Sequence, residues 1–236
     1  MYLYYGFGFL TLEQTYVCRM SSVDSFQSCS VEDVCQSRAF PSFEYKVDTS
    51  NENYIINWQQ EMDLTCESRT TINYMVTSYF LAYGLAGLFL FSLPDKWGRW
   101  KTMAVFGTIH VGCQFTIVLV PVYSVRLACF ALMGLCQLKN NMCYVWLFEL
   151  LESKHKSVAV GFMNAVDTIT LTVSTLFYLY VDKNWFYLCF AFTVIGTVSH
   201  FYMILFAPES PKWLLANNRK SEAISAFNRI GKLNFC

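Results

Sequence analysis

The residues Pro94-Asp95-Lys96-Trp97-Gly98-Arg99-Trp100-Lys101 form a short charged segment between two long apolar runs, Ile72–Leu93 and Thr102–Val120. Neither run contains a formal charge. Each is long enough to cross a bilayer as a helix, because about 20 residues at roughly 1.5 Å per residue cover the hydrocarbon core. The segment holds three bases and one acid, and an excess of Lys and Arg marks the cytoplasmic side of a membrane protein. We therefore predict that residues 94–101 form a tight turn at the cytoplasmic membrane face, and we call this segment the charged turn.

The composition of the 236-residue chain is typical of a membrane protein. It is 55% hydrophobic and 14% charged, whereas soluble globular domains are about 25% charged. Its formal net charge is zero, which gives no electrostatic basis for binding nucleic acid. The sequence has no phosphate-cradling glycine loop, no His-Glu-x-x-His and no Gly-x-Ser-x-Gly. We therefore predict no enzymatic activity, no cofactor and no metal site.

Five apolar runs and one shorter stretch predict the membrane helices. The runs are Ile72–Leu93, Thr102–Val120, Val125–Leu150, Val158–Val181 and Trp185–Phe206. Met1–Leu12 is too short to cross a bilayer alone, and we interpret it as a partial or shortened first helix. Basic turns follow the second, fourth and sixth spans, and acidic or neutral turns follow the others. This alternation predicts an all-α membrane protein, a six-helix transmembrane bundle with both ends cytoplasmic.

The polar segments complete the predicted organisation. Residues 1–12 are the partial first helix, 13–70 an extracellular loop rich in acids, 71–207 transmembrane helices 2–6, and 208–236 a basic cytoplasmic segment. In this last segment, the pattern from Lys220 to Ile230 predicts a short amphipathic helix with Ala223, Ile224 and Phe227 on one face.

Four of the ten cysteines lie in the acidic loop, at Cys18, Cys29, Cys35 and Cys66. Their spacing fits no common zinc pattern, and no histidine lies nearby. Cysteines in a polar loop outside the membrane favour disulfides, so we predict two, with the pairing left open. The cysteines of the apolar runs are interpreted as small packing residues.

Polar side chains inside the predicted spans are candidates for a solute path. They are Lys139, Asn140 and Asn141 in the fourth span and Asp167 in the fifth. A buried charge in a membrane is costly and often lines a transport pathway. Two structural alternatives remain: Lys139 reaches the membrane surface, or it forms an internal ion pair with Asp167. The isolated His110 and His200 are interpreted as structural.

Three motifs in this order resemble those of the major facilitator superfamily. Asp95-Lys96-x-Gly98-Arg99 is similar to the loop signature after the second helix of that family. Glu149 followed seven residues later by Lys156 resembles its Glu-x6-Arg element, and Pro208-Glu209-Ser210-Pro211-Lys212-Trp213-Leu214-Leu215 resembles the motif after its sixth helix. The acidic cysteine-containing loop, ending in Trp58 and Asp63-Leu64-Thr65-Cys66, resembles that of the organic cation, anion and carnitine transporters.

The resemblance implies the N-terminal six-helix half of a twelve-helix transporter. It also implies that cytoplasmic charges lock one access state; the gating residues by this correspondence are Asp95, Lys96, Gly98, Arg99, Glu149, Lys156, Glu209 and Lys212. The alternative is that these charges only determine topology. Three departures point to a weaker gate: Phe91 in place of a glycine is expected to crowd a close helix approach, Trp100 replaces a base, and Lys156 and Lys212 lack the bidentate fork of Arg.

The expected function is alternating-access transport of small organic solutes across the plasma membrane. The expected partners are the lipid bilayer, the solute, and a missing C-terminal half or a partner chain. Two alternatives remain: a sugar porter, or a non-transporting half that acts as a membrane interaction partner or is a remnant.

Overall fold

The apolar runs form long helices in the computed structural model, which describes residue 3 and residues 6–20, 25–151 and 153–233. In chain order the elements are α1 Phe7–Leu10, β1 Tyr16–Arg19, β2 Gln27–Cys29, α2 Val31–Ser37, β3 Glu44–Val47, α3 Trp58–Glu61, α4 Arg69–Phe89, α5 Leu93–Trp97, α6 Arg99–Leu119, α7 Tyr123–Cys136, α8 Leu138–Leu150, α9 Ser153–Tyr180, α10 Trp185–Phe206, α11 Pro211–Ala216 and α12 Lys220–Leu233.

The packing of α4 against α7 forms the centre of the bundle. The buried residues of α4 are Ile72, Met75, Tyr79, Ala82 and Ala86. This spacing of three or four residues places them on one helix face. Gly134 of α7 lets the two backbones meet, because a Cβ there would lie 2.2 Å from the carbonyl oxygen of Tyr79.

Helix α6 packs against α7 on one side and α10 on the other. The crossing with α10 depends on Gly107, where a Cβ would lie 2.2 Å from Cε1 of His200. The His200 ring is held there by Thr108, whose Oγ1 is 3.1 Å from Nε2. His200 thus has the structural contacts expected for it.

Three helices among the described residues are long and apolar enough to cross a membrane. They are α6, α10 and residues Lys154–Tyr180 of α9. Helix α4 is as long as α6, but the mean hydropathy of its most apolar stretch is lower than that of these three helices. Only 6% of the most apolar stretch of α9 is buried within the chain, against 39% for the corresponding stretch of α6. Most of the α9 surface therefore lies outside the bundle core.

The predicted fourth span, Val125–Leu150, is covered by α7 and α8, which are separated by the single residue Gln137. The N–H of Gln137 donates to the carbonyl of Gly134, three residues back. That contact is tighter than the four-residue repeat of an α-helix. The break coincides with the polar residues that follow it, Lys139 and Asn140 among them.

Several predicted boundaries shift by a few residues. The second span begins earlier, because Ser68 caps α4 by accepting a hydrogen bond from the N–H of Thr71. The charged turn is partly helical, since α5 ends at Trp97 and α6 begins at Arg99. Residues 153–156, predicted as a polar turn, are the first residues of α9.

The disulfide segment, residues 13–70, contains regular structure that its weak alternation did not predict. Strands β2, β1 and β3 form an antiparallel sheet in that order. Helix α2 covers it by burying Val34 against Tyr16. The four cysteines are paired as Cys18–Cys29 and Cys35–Cys66. These cross-links hold together a segment whose own core is small.

The predicted final helix is present, and the chain buries only part of its apolar face. In α12, Ala223 and Ala226 are buried against Trp213 and Leu214 of α11. Ile224 and Phe227 are exposed instead. Small alanines allow the close approach of the short α11, which the larger side chains would prevent.

Candidate functional site

Arg99 is the centre of a charge cluster at the end of the bundle opposite the disulfide segment. Its Nη1 lies 2.8 Å from Oδ1 of Asp95, and its Nη2 lies 3.3 Å from Oε1 of Glu149. Nη1 also donates to the carbonyl of Pro94 at 3.1 Å. The Arg99 and Glu149 side chains are only 13% and 17% exposed, whereas Asp95 is 68% exposed. The contact best shielded from solvent is therefore the ion pair of Arg99 with Glu149, which joins α6 to the end of α8.

The side-chain carboxylate of Glu209 binds backbone N–H groups at the same end of α6. Its Oε1 accepts hydrogen bonds from the N–H groups of Arg99 at 2.9 Å and Trp100 at 3.1 Å. These are first-turn donors of α6, which have no partner within the helix. A carboxylate there also interacts favourably with the positive end of the helix dipole. Glu209 thus caps α6 from a segment more than a hundred residues away.

Gly98 makes this cap possible. Its φ of +103° lies in a region that glycine adopts without strain. A Cβ on Gly98 would lie 2.3 Å from Oε2 of Glu209. Next to it, the indole N–H of Trp213 donates to the carbonyl of Asp95 at 2.7 Å. The turn between α5 and α6 is therefore clamped by both Glu209 and Trp213.

The other predicted gating residues lie outside the hydrogen-bonded cluster. Lys212 lines a cavity of about 420 Å³ together with Asp95, Arg99 and Glu149, but it makes no ion pair among the described residues. The same holds for Lys96 and Lys156 in the part of the chain that the structure describes. Phe91 is 60% exposed, so it crowds no helix among the described residues.

Arg219 extends the cluster on its solvent side. It pairs with Glu222 at 2.5 Å, and its guanidinium lies 5.7 Å from the centroid of the Trp213 ring. The hydrogen bond to Glu222 raises the pKa of Arg219, with a smaller contribution from the charge of Glu209. Arg219 therefore stays protonated while it covers the indole that clamps the turn.

The candidate path residues divide into two groups. Asn140 and Asp167 line one cavity of about 220 Å³, together with Tyr144. Asn141 donates instead to the hydroxyl of Tyr83 on α4 at 3.2 Å. Within the described residues, Lys139 and Asp167 form no ion pair, and Lys139 does not line the cavity that holds Asp167. The internal ion pair of Lys139 with Asp167 is thus not formed among the described residues.

Sequence reasoning missed three contributors to this architecture. Trp213 has no role assigned from its motif, although a tryptophan needs a partner for its N–H when buried. The capping role of Glu209 has no local signal, because its partners are distant in sequence. Arg126 was overlooked although a base inside an apolar run is itself a signal; it is fully buried and pairs with Glu61 at 2.9 Å.

Comparison with known proteins gives a consistent result. The model of the Major Facilitator Superfamily matches residues 50–233. Solute carrier family 22 member 4 of Mus musculus is 28% identical over 221 residues, which cover 88% of this chain and 37% of that protein. Organic cation/carnitine transporter 2 of Homo sapiens is 25% identical over 189 residues, covering 78% and 33%. The chain thus spans about a third of the length of the curated relatives it matches.

Proposed function

Because this chain belongs to the Major Facilitator Superfamily, we propose that it forms the N-terminal six-helix half of a transporter for small organic solutes, working by alternating access. The solutes proposed are of the organic cation and carnitine class that its relatives' names state. In this proposal the disulfide segment lies outside the cell, and the charge cluster is a cytoplasmic gate in the plasma membrane.

The observation that carries the proposal is the meeting of three polar turns at Arg99. Asp95 belongs to the first turn, Glu149 to the second and Glu209 to the third. A gate must hold one state without excessive stability, since a shift of a few kcal/mol has to open it. The cluster meets that need: among the described atoms, Nε of Arg99 and Oε2 of Glu149 are buried without a hydrogen-bond partner. A partly satisfied buried network is weaker than a complete one.

The break in the fourth span supports a solute path. Discontinuous helices of transporters place polar groups near the middle of the membrane. Here the break at Gln137 lies three residues before Asn140, which shares its cavity with Asp167. We propose that these two residues line the route of the solute.

The test is uptake of radiolabelled carnitine and tetraethylammonium by cells expressing the native protein. We expect saturable uptake of at least one of them that excess unlabelled compound abolishes. Arg99→Gln is expected to reduce uptake about tenfold or more, because it breaks a half-buried pair. Lys96→Gln removes the same charge from the same turn without breaking an ion pair, and we expect it to retain uptake within about twofold.

Each outcome has a definite meaning. No saturable uptake by correctly inserted protein would refute transport of this solute class. Equal losses in Arg99→Gln and Lys96→Gln would refute the gate, because only the net charge of the turn, and hence topology, would then matter.

A further inference from the structure

Arg126, at the start of α7, is completely buried. Its Nη2 contacts Oε2 of Glu61 at 2.9 Å, and its Nε donates to the carbonyl of Val120 at 3.1 Å. Taking a guanidinium out of water is unfavourable unless well-placed partners surround it. The partners of Arg126 therefore indicate which segments of the chain this charge connects.

Two tryptophans lie against the guanidinium, whose Nη1 is buried without a hydrogen-bond partner among the described atoms. Its carbon lies 4.5 Å from the ring centroid of Trp58 and 5.1 Å from that of Trp185. The two indoles are nearly perpendicular, at 86°, with centroids 5.7 Å apart. Both are buried. This is the arrangement of an aromatic cage for a cation, filled here by a side chain of the same protein.

The members of this cage come from separate parts of the chain. Trp58 and Glu61 belong to α3 of the disulfide segment, Arg126 to α7, and Trp185 is the first residue of α10. The backbone reinforces the contact, since the N–H of Trp185 donates to the carbonyl of Ile56 at 3.1 Å. The disulfide segment therefore contacts the starts of two bundle helices through one buried cation.

The same short stretch also holds the end of α1. The side-chain amide of Asn57 donates to the carbonyl of Leu12 at 2.8 Å, and that of Gln59 donates to the carbonyl of Thr11 at 3.1 Å. Carbonyls at a helix end need such partners. Residues 56–61 thus connect α1, α7 and α10 at the same end of the bundle.

We propose that Arg126 is a positioning residue that fixes the disulfide segment rigidly to α7 and α10, so that segment and bundle move as one body. If Arg126 did not fix the disulfide segment, the segment would move independently of the bundle, connected to it only at residues 13–15 and 67–69. The proposal stands on the contacts of Arg126 and does not require that the protein transports a solute.

The test is hydrogen exchange of the full protein in lipid nanodiscs, for wild type and Arg126→Ala. Residues 54–66 and 182–190 are expected to exchange about a hundredfold faster in the variant, since removing one partner of a buried pair is strongly destabilising. The middle of α6 should remain unchanged. Guanidinium ion added to Arg126→Ala should restore protection in both segments, because the empty cage fits it.

Two further variants keep the test decisive if Arg126→Ala does not fold. Glu61→Gln retains an acceptor but loses the charge, and we expect about tenfold faster exchange in the same two segments. Arg38→Ala removes an exposed pair with Asp63 in the same disulfide segment and should leave the segment 182–190 unchanged. Unchanged exchange in Glu61→Gln, or acceleration spread evenly over the whole bundle, would overturn the proposal.

Discussion

At the scale of single residues, the turn between α5 and α6 requires that residue 98 has no side chain, as in Gly98. Gly98 combines a positive φ with contact to Glu209, so two independent constraints exclude a Cβ there. Glu209 in turn uses backbone donors, which would be present whatever residues followed Gly98. The cap therefore depends on the backbone conformation at Gly98 more than on neighbouring charges.

Gly98→Ala is expected to destabilise the protein by about 1–3 kcal/mol, because alanine is strained at this φ and its Cβ displaces the Glu209 carboxylate. Thermal unfolding of the purified protein in detergent measures the change. Gly112→Ala, inside the helix that Gly98 precedes, is the matched control: apart from the backbone of its own helix, no described atom lies within 4 Å of its added Cβ. A helix-interior alanine there is expected to be neutral or stabilising by up to about 1 kcal/mol. Equal destabilisation by both variants would contradict the role of Gly98.

At the scale of elements, α2 shows how a short helix is maintained in the disulfide segment. Ser30 and Asp33 cap each other: the N–H of Asp33 donates to Oγ of Ser30 at 3.1 Å, and the N–H of Ser30 donates to Oδ2 of Asp33 at 3.0 Å. The Ser30 hydroxyl also donates to Oδ2, at 2.7 Å. This reciprocal arrangement satisfies two donors at the helix start.

The capping box makes the stability of α2 depend on pH. The hydrogen bond from the Ser30 hydroxyl, followed by that from its backbone N–H, lowers the pKa of Asp33. A lowered pKa in the folded state stabilises the helix above the unfolded-state pKa, and this contribution disappears as pH falls through the folded value. We therefore expect amide exchange in residues 31–37, corrected for its intrinsic pH dependence, to accelerate below the ordinary carboxyl range.

Asp33→Asn is the control for that experiment, since it cannot titrate. It should remove most of the acceleration. An undiminished acceleration in Asp33→Asn would show that other carboxyl groups govern the helix.

At the scale of the whole molecule, the two ends of the bundle differ in chemistry. The disulfide segment contacts the starts of α7 and α10, and the charge cluster lies where α8 and α10 end. Helices α6 and α10 connect these ends and are each long and apolar enough to cross a bilayer. If they do, the disulfide segment and the cluster lie on opposite sides of the membrane.

Glycosylation mapping tests this topology, because the native sequence contains no Asn-x-Ser/Thr site. Asn53→Thr creates a site at Asn51 in the disulfide segment, and Lys220→Thr creates one at Asn218 beyond the charge cluster. We expect glycosidase-sensitive modification of the first variant and none of the second, since glycans are added only on the lumenal side. Modification of the second variant alone would reverse the topology.

The helical membrane character, the positions of most apolar helices and the family motifs follow from the sequence, because hydrophobic runs and charged turns are local properties of the chain. Trp185–Phe206 is a helix with the bounds predicted for it. Packing between segments sets the pairing of the four cysteines, the buried face of α12 and the cage around Arg126. The longest-range contacts join residues more than a hundred positions apart: Glu209 meets Arg99, and Trp58 meets Trp185. No periodicity within a single run records such a contact, since it is set by how neighbouring helices cross.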